Sequence, residues 1–117
     1  MIVDDHAGMR RLLRTMLGEL ASEFTECADG AQAVVEFALQ RPDWTIMDIA
    51  MKGMNGLEAT RRILNQFAGS KIVVLTQHDT PQMRAAALEA GACAFVSKDN
   101  LDQLGTILRD QLSKPKV

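Results

Sequence analysis

Apolar residues along this chain follow two rhythms that alternate from one end to the other. Met1-Ile2-Val3 is a short apolar run, Trp44-Thr45-Ile46-Met47 reads as a strand, and Ile72-Val73-Val74-Leu75 is continuously apolar, as expected of a parallel strand covered on both faces. Ala92 to Val96 reads as a further strand, and Phe24 to Ala28 as a weaker one. Between the runs, apolar positions recur every three or four residues. Met9, Leu12, Leu13, Met16, Leu17 and Leu20 make one helix face, with Arg10, Arg11, Arg14 and Glu19 on the wet side. A second helix follows the Asp29-Gly30 turn signal and directs Ala33, Val34, Phe37 and Ala38 inward. It stops before Pro42, which disfavours helix in the residue ahead of it. A third buries Leu57, Thr60, Ile63, Leu64 and Phe67. Thr80-Pro81 has the form of an N-cap and first helical position, opening a fourth helix through Ala85, Ala86 and Ala87 to a C-cap at Gly91. Asp99 or Asn100 caps a fifth, which presents Leu101, Leu104, Ile107 or Leu108, and Leu112.

Five strand–helix units in alternation predict an α/β fold, a parallel sheet with helices on both faces. With 117 residues, one domain is expected, and 47% apolar against 24% charged residues excludes disorder. The domain is read as 1–113. Ser113-Lys114-Pro115-Lys116 is a helix stop, leaving 114–117 as a tail or the start of a linker. A formal charge of −2 gives no electrostatic footprint for nucleic acid, and no Lys/Arg run suggests a membrane surface. No apolar stretch approaches the ~18 residues of a membrane span, and no signal peptide is visible. Cys27 and Cys93 are far apart and form no metal-binding or redox pair. Reduced thiols in strand-like segments, in a cytoplasmic protein, are the expectation.

Candidate chemistry lies where the strands stop. Strand one runs into Asp4-Asp5, strand three ends at Asp48, strand four at Thr76, and Lys98 lies just past strand five. Ligands of open α/β sheets bind outside the carboxyl ends of the strands, where strand order reverses. An order of 2-1-3-4-5 would bring these groups into one crevice. Three crowded carboxylates repel one another, and a hard divalent cation such as Mg2+, which prefers oxygen ligands and retains waters, offsets that repulsion. An Asp carboxylate can be the nucleophile toward phosphorus, with ammonium and hydroxyl groups neutralising and positioning.

The segments IVDDH at the start, DIAMKGMNG from Asp48 to Gly56, VVLT ending at Thr76 and GACAFVSKD from Gly91 to Asp99 resemble the response-regulator receiver domain of two-component signalling, over essentially the whole chain. The KD after strand five resembles the NarL/FixJ-type subfamily, which usually joins the receiver to a helix-turn-helix DNA-binding domain. The resemblance implies a flavodoxin-like (βα)5 fold of order 2-1-3-4-5. It implies Asp48 as phosphoacceptor and Mg2+ held by Asp5, Asp48 and the Ala50 carbonyl, with Asp4 acting through water. It implies Lys98 and Thr76 on the phosphoryl group, and Phe95 as an aromatic switch that turns inward with Thr76. It implies further that Ala50, Gln77 and His78 tune phosphorylation and hydrolysis rates. The implied partners are a sensor histidine kinase and a second copy of the chain on phosphorylation. DNA is reached only through an output domain that this sequence does not contain, and no membrane partner is implied. The implied activity is a signalling switch and phosphoprotein rather than an enzyme with an external substrate.

Three features depart from the family pattern. Lys52 stands where Pro is common, Gln77 follows Thr76 where a small residue is usual, and the chain begins several residues later than family members do. These motivate the alternative of a phosphorylation-independent docking module. A third reading, a Mg2+-dependent phosphohydrolase, lacks the D-x-D motif of haloacid dehalogenases after strand one and has no cap domain. The methionines Met47, Met51 and Met54 are read as packing groups, because soft metals require more sulfur or imidazole nearby. His6 is read as an unreactive neighbour of the acidic pair.

Overall fold

A computed structural model describes residues 1–113, and the 114–117 tail and the side chains of Leu112 and Ser113 lie outside what it describes. Five strands alternate with five helices. The strands are β1 (Ile2–Val3), β2 (Glu26–Cys27), β3 (Thr45–Asp48), β4 (Ile72–Thr76) and β5 (Ala94–Ser97). The helices are α1 (Ala7–Leu17), α2 (Gly30–Gln40), α3 (Gly56–Gln66), α4 (Pro81–Glu89) and α5 (Asp102–Ser113). All pairings are parallel and the order is β2-β1-β3-β4-β5, as expected. The reversal of strand order falls between β1 and β3, where Ile2 pairs with Ile46 and Val3 with Met47.

Side chains of a strand alternate between faces, and the core divides accordingly. Val73 and Leu75 of β4 pack with Ile2, Ile46 and Val96 under Leu13 and Leu17 of α1 and Leu104 and Leu108 of α5. On the opposite face, Val3, Met47 and Ile72 meet Ala33 and Phe37 of α2 and Ala59 and Ile63 of α3. Val74 and Phe95 meet Ala87 of α4 there. Fully burying each Leu, Ile or Val contributes about 1.5–3 kcal/mol, so both layers are needed to hold the sheet. Met47 is fully buried, and Met51 and Met54 pack against the α2–α3 layer, in keeping with a packing role.

Local chemistry sets the boundaries. The Thr80 hydroxyl accepts from the Met83 N–H at 3.1 Å, with Pro81 at the start of α4. Gly91, just past α4, has φ +104, a left-handed turn suited to glycine. Asp29 caps α2 by accepting from the Gln32 N–H at 2.7 Å.

Six expectations are corrected. Leu12 of α1 and Ala38 of α2 are exposed and do not belong to the buried faces of their helices. The first helix ends at Leu17, and Leu20 lies in a following turn whose N–H donates to the Leu17 carbonyl. Neither Asp99 nor Asn100 caps α5. Both lie in a 3-10 turn, Lys98–Asn100, whose start is capped by the Ser97 hydroxyl accepting from the Asp99 N–H at 3.2 Å. Cys93 is exposed and precedes β5, because pairing with β4 begins only at Val73 opposite Ala94. Cys27, in contrast, is buried in β2, and burial pushes its thiol up to about 11. Finally, Arg10 is not on the wet side of α1: its side chain is 19% exposed and folds back over the end of β1.

Candidate functional site

The carboxyl edge of the sheet collects the residues expected there. β1 ends at Val3 and delivers Asp4, completely buried, and Asp5 on the solvent side. β3 ends on Asp48, 3% exposed, β4 on Thr76, 1% exposed, and Lys98 follows β5. The Lys98 ammonium joins the acidic strand ends. Its Nζ donates to Asp4 Oδ2 at 3.0 Å and stands 3.2 Å from Asp48 Oδ1. The other Asp4 oxygen accepts the His6 N–H at 2.9 Å, which ties the carboxylate to the first turn of α1.

Electrostatics here follow from crowding. Burial first, then the neighbouring Asp4 charge, pushes the Asp48 carboxyl above its usual range, and Lys98 only partly offsets this. Lys98 is held above the usual lysine value. Its burial acts the other way, and the hydrogen bond to Asp4 with the charges of Asp48 and Asp4 outweighs it. Three carboxylates and one ammonium leave a formal charge of −2, which one divalent cation neutralises. The donors are hard oxygens, the set that Mg2+ prefers. Ligand atoms of Asp4, Asp5 and His6 lie within 4.8 Å of one another, with His6 Nδ1 3.0 Å from Asp5 Oδ1. The Ala50 carbonyl is two residues past Asp48 in the loop between β3 and α3.

Close packing anchors that loop. The Gly56 N–H donates to the Ile49 carbonyl at 3.0 Å, and a Cβ on Gly56 would collide with the Asp48 carbonyl oxygen. Glycine at this position lets α3 start directly against the strand that carries Asp48.

Thr76 Oγ1 accepts the His78 N–H at 3.0 Å, which leaves the hydroxyl proton to donate elsewhere. Gln77 and His78 are both exposed, so the longer Gln77 side chain is turned to solvent. Phe95 is 9% exposed and packs with Val74, Ile49 and Ala87, its ring already on the inward side. The Arg84 guanidinium lies 5.0 Å from the Phe95 ring centroid and pairs with Asp79 at 2.8 Å. Arg84 and Arg10 were not legible as site neighbours. The one available signal for Arg10 is an acid, Glu26, placed inside the weak strand run from Phe24 to Ala28, where a cationic partner offsets its charge.

Comparison with known proteins gives a family and a fold. The response regulator receiver domain matches residues 1–109. The chain is 37% identical over 102 residues to the response regulator UvrY of Escherichia coli (strain K12), covering 84% of this chain and 46% of that protein. The structure of a two-component response regulator of the LuxR family from Aurantimonas sp. SI85-9A1 superposes with a TM-score of 0.84 at 31% identity, covering 94% of this chain and 84% of that one. The signal receiver domain of the putative response regulator NarL from Mycobacterium tuberculosis gives 0.82 at 25% identity, covering 97% and 94%. The chain spans about half the length of UvrY and of the transcriptional regulators among its curated relatives. With the family match running through residue 109 and the acidic edge in place, the chain belongs to the response regulator receiver domain family, beside relatives of the NarL/FixJ type.

Proposed function

We propose that this receiver accepts a phosphoryl group on Asp48 from a sensor histidine kinase, in a Mg2+-dependent reaction, and relays the change to a transcriptional output. Receiver domains take phosphoryl groups from histidine kinases, bind Mg2+ at an acidic cluster and act as signalling proteins rather than classical enzymes, and the relatives are transcription regulators. The observation that carries the reading is the Lys98 ammonium shared between Asp4 at 3.0 Å and Asp48 at 3.2 Å, at the sheet edge where β4 ends on Thr76.

In this reading an Asp48 carboxylate oxygen attacks phosphorus while the bond from phosphorus to the donor's histidine nitrogen breaks. Lys98 leaves its bridging position to neutralise the incoming phosphoryl oxygens, and Thr76 donates its free hydroxyl proton to one of them. Asp4, Asp5, Asp48 and the Ala50 carbonyl would hold Mg2+, whose charge lowers the repulsion between the carboxylate and the phosphoryl group. Phe95 reports the event to the surface of α4 and β5. Coupling of the site to a partner surface is typically ~1–3 kcal/mol, enough to shift a dimer equilibrium five- to 150-fold. Ala50, Gln77 and His78 set the lifetime of the phosphorylated state, and exchanging the exposed His78 for Glu or Ala changes the dephosphorylation rate.

The test is the intact mass of the protein after incubation with acetyl phosphate and Mg2+, beside Asp48→Ala and a metal-free control. Gain of one phosphoryl group, lost in both controls, is the expected result. No gain in the folded protein would overturn the reading in favour of a phosphorylation-independent docking module.

A further inference from the structure

We infer that Arg10 is a positioning residue for the metal-binding edge, acting through the Asp4–Asp5 peptide on the Asp5 carboxylate; the inference rests on the phosphoacceptor reading above. β1 contains only Ile2–Val3, so Asp4 is where the chain leaves the sheet. Its N–H still reaches the Cys27 carbonyl of β2 at 3.0 Å. Its carbonyl is taken by Arg10 Nη1 at 2.7 Å. The same guanidinium is pinned from behind, with Nε donating to Glu26 Oε1 at 3.1 Å, and the second Glu26 oxygen accepts from Arg14 Nη1 at 2.9 Å. A planar fork held at two points fixes the direction of the carbonyl it binds.

That direction matters because a peptide is rigid. The Asp4 carbonyl and the Asp5 N–H share one plane, so fixing the first sets the path by which Asp5 departs. The Asp4 carboxylate has its own anchors in the His6 N–H and Lys98. Asp5 faces solvent with His6 Nδ1 at 3.0 Å, and that imidazole is itself exposed. Of the two carboxylates, Asp5 therefore depends more on the plane that Arg10 holds.

Charge and positioning make opposite predictions. A guanidinium beside a cation site repels the cation, so loss of its charge alone would tighten Mg2+ binding. Loss of a support for a ligand weakens it, by about tenfold for a group that orients a metal ligand. The test measures Mg2+ affinity by titration calorimetry on wild type, R10M and R10Q, with thermal unfolding in EDTA reporting that each variant is folded. We expect Kd to rise about tenfold in both variants, and the effect of R10M to fall below about twofold in a D5N background, because the two changes act on one group. Unchanged or tighter binding by either variant overturns the inference, as does a full R10M effect in D5N. If R10M does not fold, R10Q decides alone. Failure of the wild type to bind Mg2+ is a separate pattern that removes the metal site and the brace with it.

Discussion

Lys98→Met tests whether the acidic edge is held together by one ammonium. Lys98 is 7% exposed, and the carboxylate oxygens that share it lie 3.0 and 3.2 Å from its nitrogen, so they are at most about 6.2 Å apart. Two unit charges no farther apart than that repel by at least about 2.7 kcal/mol at an effective dielectric of about 20. Methionine keeps most of the volume and removes the charge, leaving that repulsion uncompensated. The domain carries that cost while both groups are ionised, and Asp48, already raised by burial and by the Asp4 charge, is the group that relieves it by taking up a proton. The expected loss is about 2–3 kcal/mol, or roughly 10 °C in Tm for a domain of this size. Thermal unfolding followed by circular dichroism in EDTA at pH 7 measures it. As the pH falls through the raised Asp48 value, protonation relieves the repulsion and the gap to wild type narrows. Adding Asp48→Asn to Lys98→Met restores most of the loss. A Lys98→Met protein as stable as wild type at pH 7 without metal would refute the account of the edge as a repulsive pair held by one cation.

Asp48→Asn alone stabilises the metal-free domain at neutral pH. The folded carboxyl is raised above 3.8, so its contribution favours folding below that value and is lost as the pH rises through the folded value. Melting curves should show a higher Tm than wild type at pH 7, with the difference shrinking on acidification. Gly56→Ala forces a methyl group into the Asp48 carbonyl oxygen, and a loss of at least about 3 kcal/mol is expected in urea unfolding, since backbone cannot yield as a side chain does. Thr45 Oγ1 is a buried hydroxyl without a partner among the described residues. Thr45→Val keeps the shape and removes the unsatisfied group, so the urea midpoint should rise, by about 1 kcal/mol in stability.

The parts of the site legible in the sequence are those that lie at strand ends. Asp4, Asp48 and Thr76 follow apolar runs, and a parallel sheet brings such ends to one edge whatever the details of its loops. Lys98 is legible for the same reason. Arg10 was hidden because helical periodicity tells which face of α1 is apolar. It does not tell that a long side chain on the flank can bend over the end of the neighbouring strand. The start of α5 was misplaced because Ser97, the residue just before the turn, offers its hydroxyl before Asp99 can act as a cap. Phe95 was legible as a buried aromatic, whereas its ring contact with Arg84 depends on how α4 lies on the sheet, which no local pattern encodes.

The sheet also sets the order in which the molecule can be completed. β1 is the first strand synthesised yet lies inside the sheet between β2 and β3, and its pairing with β3 spans more than forty residues. The bond from Lys98 to Asp4 spans 94. At a synthesis rate of about 5–20 residues per second, Asp4 leaves the ribosome roughly 5–20 s before Lys98. Contacts of such range are slow to form, because loop-closure entropy is lost before they return any energy. Docking of β5, with only the 3-10 turn and α5 following it among the described residues, therefore does two things late: it completes the sheet, and it brings the positive charge that the acidic centre has lacked until then.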